Sequence, residues 1–182
     1  MNFSVSKLWL LSLAFALLIL SPFSYAEEVS KEYKLKAAFI YKFVDFVTWP
    51  GNAADQTSFN MCFYGQDKFL SALDPLTTKT AKGKKIIIKK NVKIGEFGSC
   101  NLLFVAESPN ETIKQIIAST QGKPILTIGE NVDFAENGGV IGFFSLDSKI
   151  RFKINAATAA KSNLSISSDL LKLARVVGQN AN

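Results

Sequence analysis

The sequence predicts an α/β fold, a single domain with a mixed, mostly parallel β-sheet flanked by helices on both faces. Three observations carry this reading. An apolar run at 102–106, an amphipathic stretch opened by Pro109, Asn110 and Glu111, and a second apolar run at 125–128 follow one another, and strand, helix, strand is the order that builds a parallel sheet. The runs 140–146 and 150–154 are separated only by Asp147, Ser148 and Lys149, which is the spacing of an antiparallel hairpin. Apolar residues recur at helical spacing near both ends of the domain.

Taken in order, the first 26 residues carry one charge, Lys7, then an uncharged and predominantly apolar stretch from Leu8 to Leu20, then Pro22 and the triplet Ser24, Tyr25, Ala26. That is the three-part layout of a cleavable export signal. The apolar stretch would rise roughly 20 Å as a helix, short of a hydrocarbon core about 30 Å thick. Cleavage is expected after Ala26, leaving 27–182 as one exported domain, and the residue directly after the cut is Glu27, not the cysteine that would mark a lipoprotein. With Lys7 gone the formal charge falls from +6 to +5.

From Ser30 to Trp49 the residues Leu35, Phe39, Ile40, Phe43, Val44, Phe46 and Val47 fall on one side, which predicts a long amphipathic helix capped by Ser30 and ended by Pro50 and Gly51. A buried strand at 59–64 and a short helix around Phe69 to Leu73 come next, then a strand at 85–90. Seven lysines lie between Lys79 and Lys93, interleaved with Ile86, Ile87 and Ile88. Such a cluster could meet an anionic partner or a membrane surface, but the stronger reading is an exposed sheet edge kept from pairing with another chain. No aromatic residues are interleaved to stack on bases, so nucleic acid is not an expected partner. The helix through Thr120 turns Ile113, Ile116 and Ile117 to one face. After the hairpin comes a small-residue segment, 156–160, then a helix capped at Ser167 or Ser168 whose Leu170, Leu171, Leu173, Ala174 and Val177 are expected to face inward.

The chemistry available is narrow. The chain has no histidine, which removes histidine-containing triads, histidine-dependent zinc sites and the usual neutral-pH proton shuttle. Gly83 and Lys84 do not make a phosphate loop, because Thr78 stands where its first glycine belongs. Asp133 and Glu136 beside Gly138 and Gly139 read as a solvated loop rather than an acid pair. No cofactor, metal site or catalytic residue is expected, and an enzyme working by carboxylates alone is the least favoured class. Cys62 and Cys100 both lie past the predicted cut. In an oxidising compartment an even count reads first as a disulfide, with two separate buried thiols or a redox-active pair as the alternatives.

Several segments together resemble the YfiR-like family of bacterial periplasmic proteins: 33–39 with Trp49 and Pro50, 62–65, 100–104, 138–141, and the stretch from Arg151, Phe152, Ile154 and Asn155 to Leu164, Ser167, Ser168, Leu170, Leu171, Leu173 and Ala174. The resemblance implies a periplasmic regulator that binds the sensor domain of an inner-membrane diguanylate cyclase, represses it and lowers cyclic di-GMP. It further implies that an OmpA-like outer-membrane lipoprotein can sequester the regulator, that a homodimer can form, and that Cys62 and Cys100 match the pair which members bridge. The family's second cysteine pair near the hairpin is missing, since 145–150 contains no cysteine. Phe152, Ile154, Asn155, Leu164, Ser167 and Ser168 are the first candidates for a partner surface, set against a plain role as core strand and helix cap. The competing reading is a small-molecule sensor or solute-binding module that feeds a kinase or transporter, with Trp49 or Tyr64 lining a crevice at the strand ends.

Overall fold

The computed structural model of the protein describes residues 31–51, 57–65 and 68–178. The predicted signal, its cleavage point and the Ser30 cap lie outside them. Among the described residues no helix is long and apolar enough to cross a membrane.

The chain runs α1 (Lys31–Asp45), β1 (Val47–Thr48), β2 (Ser58–Tyr64), a 3-10 segment (Lys68–Leu76), β3 (Thr80–Ala81), β4 (Lys84–Lys90), a 3-10 turn (Phe97–Ser99) and β5 (Leu102–Val105). It continues through α2 (Asn110–Thr120), β6 (Leu126–Gly129), β7 (Ile141–Leu146), β8 (Lys149–Asn155), α3 (Ala156–Lys161), β9 (Ser165–Ile166), α4 (Ser168–Leu173) and β10 (Arg175–Val177). Eight strands form one sheet in the order β10-β8-β7-β6-β5-β2-β4-β3, and β1 pairs with β9 in a separate two-stranded ribbon. Within the large sheet β4, β2, β5, β6 and β7 are parallel neighbours, β10 is parallel to β8, and the β7–β8 hairpin and β3–β4 are antiparallel. The mixed, mostly parallel single domain expected from the sequence is what forms.

Period-two alternation divides the core between the two faces of the sheet. Met61, Phe63, Leu102, Phe104, Leu126, Ile128, Phe143 and Phe152 pack on one side with Ile40, Phe43 and Val44 of α1 and with Phe69 and Leu73 of the 3-10 segment. Cys62, Leu103 and Val105 turn to the other side, against Ile113 and Ile116 of α2 and the ring of Phe97. Helices therefore cover both faces. The first cluster is held by an aromatic chain: Phe43 meets Phe152 at 4.9 Å edge-on and Phe69 stacks on Phe104 at 4.6 Å.

Phe134 is wholly buried and seals the loop between β6 and β7. A Cβ on Gly129 would lie 2.3 Å from its Cγ, and one on Gly139 would lie 2.1 Å from its Cε1. Both glycines are thus required by close approach of the ring, not by an unusual backbone angle.

Two local expectations are corrected, and two segments gain detail. The first helix stops at Asp45, not Trp49: the Phe46 N–H reaches back to the Phe43 carbonyl, Val47 and Thr48 pair with Ile166 and Ser165, and Pro50 disfavours a helical Trp49. The short helix expected around Phe69 to Leu73 forms, as a 3-10 helix over Lys68–Leu76 that includes Pro75. Residues 156–161 are a helix, capped by Asn155, whose side-chain oxygen accepts from the Thr158 N–H. The last helix ends at Leu173, which is 71% exposed and does not face inward, and Val177 belongs to β10. The edge of β8 at Lys153, Ile154 and Asn155 offers a sheet partner to Arg175, Val176 and Val177, and β-branched residues take it in preference to another helical turn.

Candidate functional site

In a parallel sheet the loops at the carboxyl ends of the strands form the natural crevice. Here β5 and β6 end at Val105 and Gly129, while the β7–β8 hairpin runs on past them. The step between them, roofed by the first turns of α1, encloses a cavity of about 440 Å³ lined by Glu32, Tyr33, Lys36, Glu107, Glu130 and Phe144 among others.

Lys36 is the centre of this crevice. Helical spacing places Glu32 one turn before it, and their side chains meet at 2.7 Å. The Lys36 Nζ also donates to Glu130 Oε1 at 2.7 Å, tying α1 to the end of β6 across 94 positions of sequence. Both partners of that second pair are nearly buried, with side chains 11% exposed. Burial works to lower the Lys36 pKa, but the hydrogen bonds and charges of Glu130 and Glu32 outweigh it and hold the ammonium above its ordinary value. The amine is therefore kept protonated and is unavailable as a nucleophile or base at neutral pH.

The rim is equally tied down. The Asn131 side chain accepts from the Ser108 N–H at 3.1 Å and donates to the Ser108 carbonyl at 2.8 Å. Lys153, nearly buried, donates to the Val132 carbonyl at 2.8 Å, contacts Glu136 closely and lies 5.5 Å from the Phe144 ring. Glu136 is thus an ion-pair partner, not half of an acid pair with Asp133. Among the described residues no cluster of three or more potential metal ligands occurs. The crevice holds charged groups in fixed positions.

The residues singled out in sequence lie elsewhere. Cys62 and Cys100 are bridged, Cα to Cα 5.8 Å, and buried beneath α2. The bridge fastens the middle of β2 to the residue two places before β5. Trp49 and Tyr64 do not line the crevice: Trp49 Nε1 donates to the Asn101 carbonyl at 3.1 Å with its ring edge-on to Phe59, and Tyr64 packs edge-on to Phe97. Of the candidate partner surface, Phe152, Ile154, Asn155 and Leu164 are inside the domain's own core. Asn155 caps α3 and donates to the Ala135 carbonyl, and the Ser167 hydroxyl accepts from the Leu170 N–H as the cap of α4. Ser168 is exposed. In this conformation these residues organise the C-terminal third, and only Ser168 presents itself freely. Sequence reading missed Lys36 and Glu130 as a site, because each sits alone in its own segment; the one local signal was a lysine on the apolar side of an amphipathic helix.

Two solved structures match the chain. The ABC domain in complex with L-Trp from Streptococcus pneumonia matches with TM-score 0.52 and 11% identity over 78% of this chain and 60% of that one. A conserved domain protein from Vibrio cholerae O1 biovar eltor matches with TM-score 0.48 and 12% identity over 79% of this chain and 59% of that one. The chain spans about three-fifths of the length of each. No curated protein matches. A family model described as YfiR/HmsC-like matches residues 33–175, which takes in everything from the first turn of α1 to the start of β10. The chain belongs to the YfiR/HmsC-like family.

Proposed function

We propose that the protein is an exported, periplasmic regulator that binds the sensor domain of an inner-membrane diguanylate cyclase, holds it inactive and so lowers cyclic di-GMP. The observation that carries this reading is the family match across residues 33–175, since YfiR/HmsC-like membership supports a regulatory rather than a catalytic role. A crevice whose only lysine is locked in ion pairs is consistent with that role. An OmpA-like outer-membrane lipoprotein is the proposed antagonist, and a homodimer the proposed assembly.

Repression requires that the regulator bind the inactive sensor conformation more tightly than the active one; equal affinity shifts nothing, and moving an equilibrium from 1:99 to 99:1 takes about a 10⁴-fold difference. Deleting the gene in a strain that retains its cyclases, and measuring cyclic di-GMP, is the test. A rise that reverses on complementation is expected, and an unchanged level overturns the reading.

A second reading has one observation in its favour: the 440 Å³ crevice is of ligand size and sits at the strand ends. The similar fold from Streptococcus pneumonia is described in complex with L-Trp. On this reading the crevice admits a small molecule that modulates the regulator. Thermal shift against a metabolite panel decides it, with a stabilisation abolished by Glu130→Gln as the supporting result.

A further inference from the structure

Residues 75–95 contain seven lysines and no aspartate or glutamate. The structure gathers them around one margin of the sheet. β3 pairs only with Lys84 and Lys85, so the rest of β4 is bordered by a strand on one side alone. The register that sets Lys89 beside Cys62 turns Lys85 and Lys89 to the α2 side, while Lys84 and Lys90 turn to the other. Lys79 and Lys82 flank β3, and Lys93 follows β4 by three residues.

Among the described residues, Lys79, Lys82, Lys85, Lys89 and Lys93 meet no carboxylate. Lys90 meets Asp74 at 3.4 Å between two well-exposed side chains. Lys82 and Lys89 donate to uncharged oxygens, the Asp45 carbonyl and the Ser99 hydroxyl. Lys79, Lys85 and Lys93 are exposed and make no side-chain pair with another described residue. Glu32, Glu107 and Glu130 gather instead in the crevice. One or two charges suffice to keep a strand edge from pairing, whereas the five that meet no described carboxylate repel one another and weaken the fold unless an anionic surface relieves them.

The character of the margin defines that surface. Its cations are all lysines, compact point charges without the planar fork that arginine presents to a single carboxylate. They point to both sides of a sheet edge, not into a groove, and the neighbouring Ile94 is 40% exposed. This suits a broad, fluid array of phosphates better than a shaped acidic protein face. We propose that the β3–β4 margin docks the protein onto a bilayer containing anionic phospholipid, a property that goes beyond repression of a cyclase and is measurable without one.

The processed chain, purified from cells, is mixed with phosphatidylcholine vesicles with and without phosphatidylglycerol, and bound protein is measured by sedimentation. Binding is expected only with phosphatidylglycerol, and is lost at about 1 M salt, where the screening length falls to about 3 Å. Each lysine near such a surface contributes about a fivefold gain in affinity, so the triple variant Lys79→Gln, Lys85→Gln, Lys93→Gln is expected to bind on the order of 100-fold more weakly. A charge-matched control, Lys114→Gln, Lys161→Gln, Lys172→Gln, keeps the parent's binding. Unchanged thermal unfolding of both variants shows that the fold is intact. Equal binding with and without phosphatidylglycerol, or equal losses in both variants, overturns the proposal. So does indifference to vesicles combined with margin-dependent capture of an acidic sensor domain, which assigns the margin to a protein. Loss of vesicle binding with cyclic di-GMP control retained separates this property from repression.

Discussion

Lys36 and Glu130 stand 94 residues apart in sequence and 2.7 Å apart in space, and their ion pair pins the first helix to the end of β6. Removing one partner deprives the other of an ion pair in a largely buried position. Lys36→Met is expected to cost on the order of 3 kcal/mol by urea unfolding, and Glu130→Gln less, because Glu32 still accepts from the ammonium.

The same pair sets an alkaline limit. The folded pKa of Lys36 is raised above its ordinary value, so its contribution is complete below about pH 10.4 and is lost as pH rises through the folded pKa. Stability measured from pH 9 upward is expected to fall more steeply in the parent than in Lys36→Met. Parallel curves overturn this.

The Cys62–Cys100 bridge closes a separation of 38 residues, and on the chain-entropy model it stabilises the fold by about 4 kcal/mol. Cys62→Ala, Cys100→Ala and the double variant are expected to lose similar amounts, since either single change already removes the cross-link. A reductant should destabilise the parent and leave the double variant unaffected.

Gly139→Ala drives a methyl into the buried Phe134 ring, and overpacking of this kind costs about 1–3 kcal/mol. Adding Phe134→Leu to that variant is expected to recover part of the loss, a coupling visible in a double-mutant cycle.

Phe152→Ala opens the aromatic cluster around Phe43 and Phe39 and is expected to cost about 3–5 kcal/mol. Its effect on any partner then follows the amount of folded protein. Ser168→Ala, at an exposed site, should leave stability within about 0.5 kcal/mol of the parent, so a change in partner affinity there is a direct effect.

The layered architecture was legible because alternation and helical spacing are local. Met61, Cys62 and Phe63 announce a strand buried on both faces, and Ile113, Ile116 and Ile117 announce one face of a helix. Competition between distant segments was not legible. Nothing near Arg175 reveals that β8 has a free edge to offer, and nothing near Val47 reveals that Ile166 will pair with it. The crevice was hidden for the same reason: Lys36 and Glu130 become a pair only after β5, β6 and β7 have been laid side by side. The lysine cluster was visible as composition, while the fact that five of its members meet no described carboxylate emerged only with the side chains in place.

The β1–β9 ribbon has a consequence for how the chain is assembled in time. Synthesis delivers α1 and β1 first, yet β1 is paired by Ser165 and Ile166, α1 rests on Phe143 and Phe152, and the outermost strand of the sheet starts at Arg175. The earliest segment must wait for the latest one before either is complete. Closure over such sequence distances is slow, and a nascent chain cut off before Ser165 leaves β1 without its partner strand, its backbone groups open to whatever holds unfinished chains apart.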